Sequence, residues 1–197
     1  MLPYIAEFVG TALLILLGDG VVANVTLNKS GMKGAGSIQI MVPGYIAAQI
    51  CGAFTGACLV YALFKDQFDA TEDAGTKLGV FSTGPSVPHT FRNILSEAIG
   101  TFVLVFAIKG LGNVIGCASG VEKLLVFGII VSIGMSLGGL TGYAINPARD
   151  LGPRIAHAVL PIAGKGDSNF SYGLVVPIVG PILGALLAVG LFAVIPW

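Results

Sequence analysis

The side chains able to do chemistry in this chain gather in one stretch, GYAINPARDLGPR, from Gly142 to Arg154. Asparagine is a strong N-cap and proline is favoured at the first helical position, so Asn146-Pro147 reads as a helix start. Ala148, Arg149 and Asp150 follow directly. Arg149 stands three residues after Asn146, on nearly the same helix face, while Asp150 sits where a helix dipole favours an acid in any protein. From Asn146 to Leu160 there are about 15 residues, a helix of roughly 22 Å against a hydrocarbon core of ~30 Å. Such a helix enters a membrane without crossing it. Gly134, Gly138, Gly139 and Gly142 make the approach bendable. The combination suggests an irregular strand descending to a half-helix, an arrangement tolerated where backbone lines a water-filled cavity. A glycine-rich packing face followed by a surface helix is the competing reading.

Two acids stand apart from that stretch. Glu7 and Glu97 each fall near the start of an apolar run. A carboxylate inside a span is costly and needs partners, for which the backbone N–H groups of re-entrant segments are suited. The competing reading places each Glu at the headgroup boundary.

Little else points to bond-making chemistry. Cys51, Cys58 and Cys117 form no CxxC pair, His89 and His157 show no ligand spacing, and no GxxxxGK[ST] loop exists. Neither a cofactor, a zinc site nor an enzyme activity is expected. Ten Lys plus Arg against ten Asp plus Glu give zero formal net charge, which leaves no basic field for nucleic acid.

The elements that must position these residues belong to lipid. Of 197 residues, 55% are hydrophobic and 10% charged, against roughly 25% charged in a soluble domain. Mean hydropathy is +0.91. Runs at about 4–27, 39–64, 94–117, 121–142 and 173–195 are each long enough for a bilayer helix. They lack period-two alternation, so helices are expected and a transmembrane β-barrel is disfavoured. The first run is too long for a signal-peptide core and is expected to be retained as a span. Polar connections fall at 28–37, 65–93 and 161–172, and the second, with Asp66, Asp69, Glu72 and Asp73 against Lys65 and Lys77, suits a solvated loop.

The chain also repeats itself. Ala6-Glu7-Phe8-Val9-Gly10-Thr11 resembles Ser96-Glu97-Ala98-Ile99-Gly100-Thr101, and Gly52/Gly56/Ala57 match Gly180/Gly184/Ala185. From Glu97 to Gly180 is 83 residues and from Glu7 to Gly52 is 45, so the first half is shorter by 38. That is about one span plus one half-helix. The join falls between about Leu27 and Val42, and residues 28–41 must either cross as an irregular strand or invert everything downstream.

With Asn146-Pro147-Ala148-Arg149 after a glycine-rich approach and paired AEFxGT-like openings, the chain resembles the major intrinsic protein family, the aquaporins and glycerol facilitators. Within that family Asp after the motif's Arg and a basic residue after the next Gly-Pro mark the glycerol-conducting branch, here Asp150 and Arg154. Pro177-Ile178 resembles the same branch. The resemblance implies that the Asn146 amide donates to a passing hydroxyl, that the dipole at Pro147-Ala148 disfavours cations, and that Arg149 is the constriction arginine. Tyr143 and Gly134 match two further constriction positions, an aromatic wall and a small residue that leaves room for a polyol. On the residues alone, Tyr143 could instead be a headgroup-level anchor, and Arg149 could snorkel or pair with Asp150. Asp150, Glu7 and Glu97 are read as supports. The fourth constriction residue and the first Asn-Pro-Ala motif would lie in the missing 38 residues.

The expected fold is an all-α membrane protein, an aquaporin-like inverted-repeat helical bundle with a re-entrant half-helix and an incomplete first repeat. Residues 1–64 form the first repeat, 65–93 a long connecting loop, and 94–197 the second repeat with its half-helix at 146–160. The expected function is a passive channel for glycerol and similar small uncharged solutes, with some water permeation; a truncated, non-conducting relative is the alternative. Expected partners are glycerol, water and the lipid bilayer, and the resemblance implies a homotetramer in the plasma membrane.

Overall fold

An apolar run inside lipid has no water to bond its backbone, and a helix satisfies every N–H and C=O within the segment. The long runs take that form in this computed structural model, which describes residues 37–116 and 118–197, with backbone alone at 37–41 and Ser119. The described helices are α1 (Ser37–Leu63), α2 (Lys65–Ala70), α3 (Ala74–Phe81), α4 (Thr90–Leu111), α5 (Ser119–Thr141), α6 (Pro147–Val159), α7 (Phe170–Gly173) and α8 (Val176–Val194). Among the described residues, four stretches are long and apolar enough to cross a membrane: Val42–Leu63, Thr90–Leu111, Gly120–Thr141 and Phe170–Val194. At 13 residues, α6 is not. Among the described residues there is no strand.

Expectation and structure differ in two places, and a third part of the expectation lies outside the described residues. The span read at 4–27, with Glu7, and the join from 28 to 36 lie outside the described residues. Residues 37–41 belong to α1, so that part of the join is helix and not irregular strand. The stretch 65–93, read as solvated loop, holds two short helices. Their charges hid a second pattern. Phe68 of α2 and Lys77 and Phe81 of α3 are buried, while Lys65 pairs with Asp69 on an exposed face. The Asp73 carboxylate accepts from the Thr76 N–H at 2.5 Å, and this bonding holds its pKa below the ordinary aspartate range.

The chain packs as two compact units. One takes the described residues up to Phe81 together with Leu151–Ser168. Its core joins Ala57 and Tyr61 of α1, Phe68, Phe81, Ala156 of α6 and Ile162. Rings interlock there, Tyr61 on Phe68 and Phe68 on Phe81, each at 5.5 Å between centroids. Gly152 lets α6 approach α1: a Cβ there would lie 2.8 Å from the Ile50 carbonyl oxygen and 2.7 Å from Ala53 Cβ. The Tyr61 hydroxyl donates to the Pro161 carbonyl at 3.0 Å, and Lys77 donates to that of Ala163, so residues after α6 are tied to the same core.

The other unit takes Ser82–Asp150 together with Asn169–Trp197. Here α4 packs against both α8 and α5. The α4–α8 contact is a backbone approach: a Cβ at Gly184 would lie 2.1 Å from the Ala98 carbonyl oxygen, and one at Gly180 2.5 Å from Glu97 Cβ. In lipid no hydrophobic force drives helices together, so van der Waals fit at small residues carries the association.

Candidate functional site

The site begins where α5 stops. Gly142 ends α5 in the left-handed region at φ 80, and its N–H bonds back to the Gly138 carbonyl. Glycine suits the position twice over, because a Cβ would also lie 3.1 Å from that of Thr83. Tyr143 and Ile145 then take positive φ, 39 and 40. For residues with a Cβ this costs roughly 1–2 kcal/mol each, so something must hold the turn.

Glu97 of α4 holds it. Buried to 1% exposure, its carboxylate accepts from the Thr141 hydroxyl at 2.7 Å, the Ala144 N–H at 2.9 Å and the Ile145 N–H at 2.7 Å. Three donors offset the cost of an acid within a span, and two of them are backbone N–H groups of the strained turn itself. The approach to α6 is therefore irregular backbone, with Gly142, Tyr143 and Ile145 at positive φ, pinned from α4.

That turn delivers Asn146 as the N-cap of α6. Its Oδ1 accepts from the N–H groups of Ala148 at 2.9 Å and Arg149 at 3.3 Å. The cap consumes the oxygen, and the amide NH2 donates to nothing among the described residues. Asn146 and Arg149 are both exposed, Pro147 is half-buried at the first helical position, and Ala148 is buried. Two donor side chains thus share an open face at the positive end of a helix.

Tyr143, three residues before Asn146, is 41% exposed. Its ring lies flat on α5, where a Cβ at Gly134 would come within 3.0 Å of it and one at Gly138 within 2.8 Å. The space beside Gly134 is thus filled by the Tyr143 ring.

Asp150 is fully buried and accepts from Thr83 twice, from its N–H at 2.8 Å and its hydroxyl at 2.6 Å. Ser86 adds a second strap, its hydroxyl donating to the Gly139 carbonyl at 2.6 Å. Farther along α6, within the other unit, Arg154 and His157 are fully buried against Ser168. Arg154 donates to the Ser168 carbonyl at 2.8 Å, and His157 Nδ1 lies 2.8 Å from its hydroxyl. Thr83, Thr141 and Ser168 escaped the sequence reading. Nothing in spacing marks them, since their partners are remote or backbone.

The geometry offers no bond-breaking constellation around Asn146 and Arg149. It offers donors, a dipole and one aromatic wall.

Known proteins share this sequence. A model of the major intrinsic protein family matches residues 34–192. The glycerol uptake facilitator protein of Bacillus subtilis is 46% identical over 224 positions, covering 93% of this chain and 81% of the relative. Glycerol uptake facilitator protein 3 of Lactiplantibacillus plantarum is 45% identical over 235 positions, covering 99% and 97%. Those 235 positions exceed the chain's 197 residues by 38, so at least that many hold residues of the relative opposite gaps in this chain. In fold, the chain is similar to the aquaglyceroporin from Plasmodium falciparum, with a TM-score of 0.68 at 24% identity over 98% of this chain and 95% of that one.

Proposed function

The chain belongs to the major intrinsic protein family, whose members are membrane channels and not enzymes, and from that premise we propose that it conducts glycerol and similarly small uncharged solutes passively. Some water passes with them. The observation that carries the reading is the shared open face of Asn146 and Arg149 at the start of α6. An amide NH2 and a guanidinium there replace the water hydrogen bonds of a hydroxyl, while the helix dipole and the Arg149 charge oppose cations. Glycerol has a hydrocarbon side as well as hydroxyls. The Tyr143 ring, seated on Gly134 and Gly138, offers that side a flat apolar wall. Gly134 then serves the polyol indirectly: without a side chain, it lets the ring recede and leaves the slot open. Glu97 and Asp150 act as supports that hold the turn and the half-helix, and Glu7 is assigned the same part in the first half.

Both relatives above carry glycerol uptake in their names, which supports glycerol as the solute. The channel is assigned to the plasma membrane as a homotetramer with one pore in each subunit.

Uptake of labelled glycerol into proteoliposomes tests the passive character. Internal glycerol should rise to the external concentration and stop there, at the same rate with or without a pH gradient. Accumulation above the external concentration would overturn the reading.

A further inference from the structure

We propose that the neighbouring ends of α4 and α8 bind the headgroup of an anionic phospholipid, with Lys109 as the cation and Phe192 and Trp197 as the wall beside it. Lys109 lies in the last turn of α4, and Trp197 lies three residues beyond Val194, the last residue of α8. The Lys109 Nζ lies 5.2 Å from the centroid of the Phe192 ring. Phe192 and Trp197 stack at 4.5 Å with 23° between their planes. Phe106 meets both rings, at 5.8 and 6.2 Å, and Phe102 stacks on Phe106 at 5.6 Å. The Trp197 indole N–H donates to the Phe192 carbonyl at 3.0 Å, which fixes the ring in place. Aromatic residues at the end of a span belong to the boundary between acyl chains and headgroups.

Charge selects the headgroup. Lys109 is exposed and makes no ion pair among the described residues, so a ring face is its one electrostatic partner there. The short connection from α4 brings the first turn of α5 to the same end, and it adds Glu122 and Lys123. An ammonium beside rings at headgroup depth fits a phosphodiester whose acyl chains lie against the aromatic wall. Free phosphate would leave that wall without an occupant.

Trp197 is the only tryptophan in the chain, so its fluorescence reports on this site alone. The protein is reconstituted into phosphatidylcholine vesicles carrying a minor fraction of brominated phosphatidylglycerol or of brominated phosphatidylcholine. Bromine quenches the indole on contact. The anionic lipid should show roughly fivefold higher apparent affinity, the preference one ammonium gives near an anionic surface. Lys109→Gln should abolish the preference while leaving quenching by phosphatidylcholine intact, and Lys123→Gln should retain it. Inorganic phosphate, compared with chloride at matched ionic strength, should not displace the anionic lipid. Equal quenching by the two lipids in the unaltered protein would overturn the proposal and leave Lys109 as a snorkelling residue at a helix end. Loss of the preference in Lys123→Gln alone, or its displacement by phosphate, would overturn it equally.

Discussion

Two pairs of glycines four residues apart, one in each half of the chain, occupy matching places in the internal repeat, and only the second pair meets a partner helix among the described residues. Gly180 and Gly184 of α8 press on the backbone of α4, where a Cβ at Gly184 would come within 2.1 Å of the Ala98 carbonyl oxygen. A Cβ at Gly52 or Gly56 of α1 would meet nothing within 4 Å among the described residues. Spaced small residues permit close approach; a partner helix must supply the contact. In the second half that partner is α4, and it brings Glu97 to the turn before the half-helix. The first-half equivalent, Glu7, lies outside the described residues. Packing and site are one construction in the second half, because the helix gripped by Gly180 and Gly184 is the helix that pins Ala144 and Ile145.

Substitutions can break that comparison. The largest effect is expected from Gly184→Val, whose side chain would have to displace the backbone at Ala98; a loss of about 3 kcal/mol or more would appear as a lowered thermal midpoint in detergent. Gly56→Val, its counterpart, measures whether α1 is gripped by a partner in the same way. Equal losses for the two would show that the halves are packed alike. Glu97→Gln tests the link between interface and site. One amide oxygen remains to accept, but an NH2 would then face N–H or O–H donors, so a loss of about 2–3 kcal/mol and a marked fall in glycerol flux are expected. Undiminished flux would show that the turn holds without the carboxylate. Asp150→Asn removes charge from a site accepting twice from Thr83, and about 1–2 kcal/mol should be lost, with a smaller fall in flux. The smallest effect on stability, under about 1 kcal/mol, should come from Gly138→Ala. Its methyl would push the Tyr143 ring, and the ratio of glycerol to water permeation should change although the protein stays folded.

The half-helix was legible in the sequence because its signals are adjacent: an N-cap, a proline and an arginine within four residues, ahead of a segment too short to cross. The four long spans among the described residues were legible as runs, with ends displaced by up to six residues, as at Leu111 against 117. The supports were not. The donors to Glu97 lie 44, 47 and 48 residues away, and two are backbone N–H groups that no side chain announces. Thr83 is 67 residues from Asp150. Helices α2 and α3 were hidden for a different reason: charges at Lys65, Asp66 and Asp69 describe the solvated face, whereas the fold depends on the few residues, Phe68 and Phe81 among them, that turn inward.

The central claim is that a glycerol path runs past Asn146, Arg149 and Tyr143 in this shortened chain. Stopped-flow light scattering of proteoliposomes under an inward glycerol gradient tests it most directly. The unaltered protein should reswell vesicles faster than protein-free lipid, and Arg149→Ala should change the ratio of glycerol to water permeation. Reswelling indistinguishable from that of empty vesicles, with the protein folded and inserted, would contradict the account.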